Sequence, residues 1–187
     1  AMQSALAGRS VEAAVEEVLL PKVDAIVACE GTASLAWSFA SAWVSDWLSR
    51  PREPAPPGSC RGSLLILDGS RSGLDPAAVF ARALELFCVR AGIMIRSCPV
   101  ERLESVRDAV RRQHPVLAVI VGGASTPGRV GGWAAAITSA TRARARVATY
   151  RTGDHYPRPA TPLLALPPGV GEATERIIEW FLLPGVL

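Results

Sequence analysis

At 187 residues the chain is long enough for one full core, or for one domain with a small helical cap. With 49% apolar and 20% charged residues, disorder is confined to short stretches. The net charge of +3 is mild and almost wholly arginine, Lys22 being the single lysine, which argues against a domain that binds nucleic acid by itself.

No apolar run reaches the length of a membrane span; the longest, near Val116–Val121, is a strand's worth. No secretory signal is read. Ala1 ahead of Met2 reads as the scar of a cleaved expression tag, with the chain proper expected to start at Met2. Cys29, Cys60, Cys88 and Cys98 show no CxxC spacing and have no histidine close by, so neither zinc nor a disulfide framework is expected. A cytoplasmic location with reduced thiols follows as the expectation.

The first element is helical. Val11, Val15, Val18, Leu19 and Ile26 recur at helical spacing, with Glu12, Glu16 and Glu17 opposite them and Ser10 as N-cap. Pro21 interrupts the run, so a kink or two short helices are expected. Gly31 marks a turn. Thr32–Leu48 is an aromatic, apolar helix carrying Trp37, Phe39, Trp43 and Trp47, which needs another body to pack against. Residues 2–48 are thus expected to form a helical cap. A linker follows at residues 49–61: SRPREPAPPGSCR holds four prolines and a glycine, and can form neither helix nor central strand.

From residue 62 onward strands and helices alternate. Strands are expected at Ser63–Leu67, Ile93–Arg96, Val116–Val121, Arg146–Tyr150 and Leu163–Leu166. Asp75 and Pro76 open a helix that Gly92 closes. Further helices are expected at Pro99–Gln113, Trp133–Arg144 and Glu172–Leu183. The order predicts one α/β domain over 62–187, with a five-stranded parallel, flavodoxin-like (Rossmann-type) sheet covered by helices on both faces. A 2-1-3-4-5 sheet binds ligands beyond the strand ends, between its first and third strands. The loops there are DGSRSG at 68–73 and GGASTPG at 122–128. Their glycines and hydroxyls suit close approach of a ligand, although such loops are commonly rich in both.

Several motifs are set aside. GSRSG has Arg71 where a nucleophile elbow has serine. GGASTPG is neither GxGxxG nor a P-loop with its lysine. Asp68 lacks the acidic pair and the lysine of a phospho-acceptor site. His114 ends a helix just before Pro115 and reads as a solvated cap, and His155 reads as a surface-loop residue near the strand ends. An enzyme would have only Asp68 with Cys98 or His155 as its nucleus, so no catalytic residues and no metal ligands are assigned.

At DGSRSG the chain resembles cobalamin (B12)-binding domains. Their D-x-H-x-x-G motif follows the first strand, and its histidine ligates cobalt from below. Asp68 and Gly73 match, and Ser70 stands at the histidine position. The second family element, often S-x-L, corresponds to Gly122–Ala124, and the third, often Gly-Gly, to Thr152 and Gly153. Upstream, the helical segment and its aromatic helix resemble the cap of MerR-type transcription regulators and of corrinoid carrier proteins. Ser38 and Phe39 fall where the sensors carry a Glu-His pair.

The resemblance implies a non-catalytic, ligand-sensing effector domain of a transcription regulator. Its ligand-binding residues would be Asp68, Ser70, Arg71, Gly73, Gly122, Gly123, Ser125, Thr152 and Gly153, with Trp37 and Trp43 from the cap. A serine hydroxyl is a poor neutral cobalt ligand beside imidazole, so histidine-ligated cobalamin is not expected. Base-on cobalamin, another tetrapyrrole or a different flat ligand stays open. A protein-interaction or dimerisation domain that has lost its ligand is the alternative, and a corrinoid-type carrier is a more distant one. A homodimer is expected, no membrane contact, and DNA contact only through an upstream domain outside these residues. Core packing between cap and sheet accounts for the tryptophans equally well.

Overall fold

A computed structural model of the chain describes residues 8–50, 62–70, 73–100, 102–122, 127–152 and 163–182. The residues of the linker from 51 to 61 therefore lie outside the described ones, as do Arg71, Gly123, Ser125, Gly153 and His155.

The N-terminal helical run begins with α1 (Val11–Ala13), capped by Ser10, whose hydroxyl accepts from the Ala13 amide at 3.1 Å. It continues through a π-helical segment, Ala14–Leu19, into α2 (Leu20–Glu30). The run does not break into two separate helices at Pro21. The helix instead widens ahead of the proline, with the Leu20 amide donating to the Val15 carbonyl, five residues back. Widening relieves the clash between a proline ring and the carbonyl four residues earlier, so the chain stays helical to Glu30. Gly31, at φ 75°, ends it.

The aromatic helix is α3 (Leu35–Ser49), with Ser34 as N-cap accepting from the Trp37 amide at 3.0 Å. Its buried face is Trp37, Ser41, Val44 and Leu48. Five strands follow, β1 (Ser63–Asp68), β2 (Met94–Pro99), β3 (Leu117–Val121), β4 (Arg146–Tyr150) and β5 (Leu164–Ala165). They form one parallel sheet in the order β2-β1-β3-β4-β5. The helices between and after them are α4 (Pro76–Arg90), α5 (Leu103–Gln113), α6 (Pro127–Ala140) and α7 (Val170–Leu182). This is the α/β flavodoxin-like architecture that the alternation predicts.

Strand side chains alternate between two cores. Leu64, Ile66, Leu117, Val119, Val121, Ala148 and Tyr150 face α4 and α7; Leu65, Leu67, Ala118, Ile120 and Val147 face α5 and α6. The helical cap joins the first core: Val15, Leu19, Val23, Trp37, Val44 and Leu48 belong to the same buried cluster as β1 and β3. Burying one such aliphatic side chain stabilises by roughly 1.5–3 kcal/mol, so the cap is held by several of them.

Boundaries shift where tertiary pairing overrides local pattern. β2 runs to Pro99 rather than Arg96, and α5 starts at Leu103 rather than Pro99. The Val100 amide donates to the Asp68 carbonyl at 2.9 Å, which carries the parallel ladder past the proline. Similarly, α6 spans Pro127–Ala140 rather than Trp133–Arg144.

Candidate functional site

The switch point between β1 and β3 is built from strand ends. The Gly69 amide donates to the Val121 carbonyl at 2.9 Å, and the Gly122 amide to the Tyr150 carbonyl at 3.1 Å. The two loops thus leave the sheet side by side, which is the geometry that opens a crevice in such folds.

Asp68 is half-buried at the carboxyl end of β1, and its Oδ1 accepts from the Ser70 amide at 2.9 Å. This is an Asx-turn: the carboxylate fixes the first residues of the loop, and Ser70 is held by its backbone. Gly73 has open space where a Cβ would stand. Gly122 does not. A Cβ there would lie 2.5 Å from Cγ2 and 2.6 Å from Cα of Thr152. The missing side chain at Gly122 therefore makes room for Thr152, itself buried, and two of the three loops meet there.

The cap tryptophans divide. Trp37 is fully buried in the core, and its indole Nε1 donates to the carbonyl of Leu74, in the loop between β1 and α4. Trp43 is half-buried and packs against the same cluster. Trp37 thus touches the switch-point loop through its N–H, while its ring serves the core.

Three cap contacts were hidden from the sequence pattern. Arg151, which follows β4, pairs with Asp24 of α2 at 3.0 Å, and its guanidinium lies 3.5 Å over the Phe80 ring of α4. Glu16 accepts from the Gly171 amide at 2.6 Å and so caps the start of α7. Glu12 pairs with Arg90 at the end of α4. No local signal marks them, because the partners lie 127, 155 and 78 residues apart.

Electrostatics near the site are modest. Burial pushes the Glu85 carboxyl up, the Arg82 guanidinium opposes this, and the charge of Asp68 adds to it. Burial also raises the Cys98 thiol, against the pull of Arg112. Among the described residues, no group of three His, Cys, Asp or Glu side chains is placed to hold a metal ion. The neutral hydroxyl of Ser70 does not fit ligation of cobalt. No helix among the described residues is long and apolar enough to cross a membrane.

Comparison with known protein families finds no match to this chain, and comparison with curated proteins finds none either.

Proposed function

We propose that the chain is a non-catalytic, ligand-sensing domain of the B12-binding-like type, without a cobalt-ligating histidine, serving as the effector part of a transcription regulator. The observation that carries this reading is the bond from Trp37 to the Leu74 carbonyl. A ligand that displaces the loop after β1 must strain or release that bond, and α3 would respond as a unit. Arg151 couples the segment after β4 to α2 in the same way. Recognition at such a site rests on shape, on the Asp68 carboxylate as acceptor and on the hydroxyls of Ser70 and Thr152, without cobalt ligation. Burial raises the Cys98 thiol, which argues against that one cysteine as a nucleophile.

The direct test is thermal unfolding of the chain with hydroxocobalamin, hemin and biliverdin. A ligand at about 100 times its Kd stabilises by about 2.7 kcal/mol, which raises the midpoint by several degrees. Ser70→His should tighten hydroxocobalamin binding; equal, absent binding by both proteins would sink the corrin-shaped pocket.

A second reading, a homodimerisation domain, is favoured by one observation. Leu35 and Phe39, one turn apart on the outer face of α3, are 80% and 78% exposed. A second copy of this chain would cover them, and Phe39→Asp should then convert a dimer to a monomer in light scattering. A wild-type monomer would reject it.

A further inference from the structure

At the end of the sheet opposite the switch-point loops lies a groove of about 690 Å3, between the ends of α5 and α6 and the starts of β3 and β4. Val110 and Ala145 give it a buried apolar floor. His114, Arg142, Arg144 and Arg146 stand on its rim, and among the described residues no carboxylate lines it. Among the described residues, none of these three arginines is in an ion pair.

The simplest role for cations here is to complement the two helix C-termini that end at the groove. Each terminus is equivalent to about −0.5 charge, so about one cation would suffice. Three arginines leave a surplus of about +2. The turn itself cannot supply backbone donors. The Arg142 amide donates to Ser139 O, Ala143 to Thr138 O, Arg144 to Thr141 O and Ala145 to Thr141 Oγ1. Recognition would therefore fall to the guanidinium forks. The backbone is also strained there: His114, Arg142 and Ala143 have φ of 45°, 53° and 58°, the left-handed region that non-glycine residues avoid.

We propose that this groove binds a small phosphorylated molecule, with a dianionic phosphate monoester on Arg142, Arg144 and Arg146 and a flat apolar body on the Val110–Ala145 floor. The surplus of about +2 matches the charge of about −1.5 to −2 on such a group near pH 7, where a single carboxylate would leave it half-compensated. Arginine forks suit phosphate geometry. The volume falls in the range of about 300–1,000 Å3 typical of small-molecule sites.

The test is isothermal titration of the full chain with adenosine 5′-monophosphate, adenosine and inorganic phosphate. The monophosphate should bind, inorganic phosphate should bind more weakly and compete, and adenosine should bind at least about tenfold more weakly than the monophosphate. Arg144→Ala and Arg146→Ala should each weaken monophosphate binding about tenfold, since each removes a charge-assisted contact. Arg144 is exposed, so its replacement leaves folding intact, and Arg176→Ala on α7 should change nothing. Equal affinity for adenosine and its monophosphate, or no binding of the monophosphate up to about 10 mM, would overturn the proposal. So would tighter binding of a single-stranded oligonucleotide whose salt dependence reports more than about three phosphates, which would make the groove a nucleic-acid site.

Discussion

Gly122 and Ala143 show how much one Cβ decides in this fold. At Gly122, a methyl group would stand 2.5–2.6 Å from Thr152, with backbone as well as side chain in the way. Gly122→Ala should therefore destabilise by about 1–3 kcal/mol, measurable as a lower urea midpoint with an unchanged slope. Ala143 presents the opposite case. It holds φ 58° just past α6, a left-handed conformation that glycine adopts without strain, and its amide donates to the Thr138 carbonyl at 2.8 Å. The left-handed conformation costs roughly 1–2 kcal/mol and glycine's extra unfolded-state freedom roughly 0.5–1, so Ala143→Gly should stabilise by about 0.5–1 kcal/mol. Differential scanning calorimetry would register this as a rise of about 2 °C. Tyr150 makes stability depend on pH. Its hydroxyl donates to the Pro168 carbonyl at 3.1 Å, and burial pushes its pKa up to about 12 from 10. Because the folded pKa is raised, its contribution is complete below pH 10 and is lost as the pH climbs toward 12. Alkaline unfolding should remove roughly 2–3 kcal/mol over that window, and Tyr150→Phe should flatten it.

Among the elements, α3 is the one whose sequence said least about its orientation. Leu35, Trp37, Phe39, Trp43, Val44, Trp47 and Leu48 span more than half the circumference of the helix, so periodicity alone could not say which part of that arc is buried. Packing selects Trp37, Ser41, Val44 and Leu48, and leaves Leu35 and Phe39 outside. Trp37 is the test of this arrangement. Trp37→Phe keeps most of the apolar volume but removes the indole N–H that donates to the Leu74 carbonyl, and should cost about 1–2 kcal/mol. Trp37→Ala should cost about 3–5 kcal/mol through the cavity it leaves. Chemical denaturation of the pair separates the bond from the packing. The start of α5 was illegible for a different reason: Pro99 reads locally as a helix opener, and only the partner strand, through Asp68, keeps it in the sheet.

At the scale of the whole molecule, the sheet was legible because its signals are local and mutually consistent. β3 is apolar at every position, as a strand covered on both faces must be, and the Asp75–Pro76 pair opens α4 as its residue types require. The arginine groove was not legible, because it forms only when residues 142–146 meet 110–116 across two helix ends. A chain of mild net charge can thus carry a concentrated cationic site. The switch point itself was placed by topology, but the roles of its residues were not: Gly122 accommodates Thr152, and Trp37 joins the core as well as the loop. In the proposed function, a ligand at the β1–β3 switch point acts on the cap through Trp37. Thermal unfolding with saturating hydroxocobalamin, hemin or biliverdin, run on the wild type and on Trp37→Phe, is the decisive measurement. One of these ligands should raise the wild-type midpoint by several degrees, and Trp37→Phe should change the size of that shift. No shift with any of the three, or a shift identical in both proteins, would contradict it.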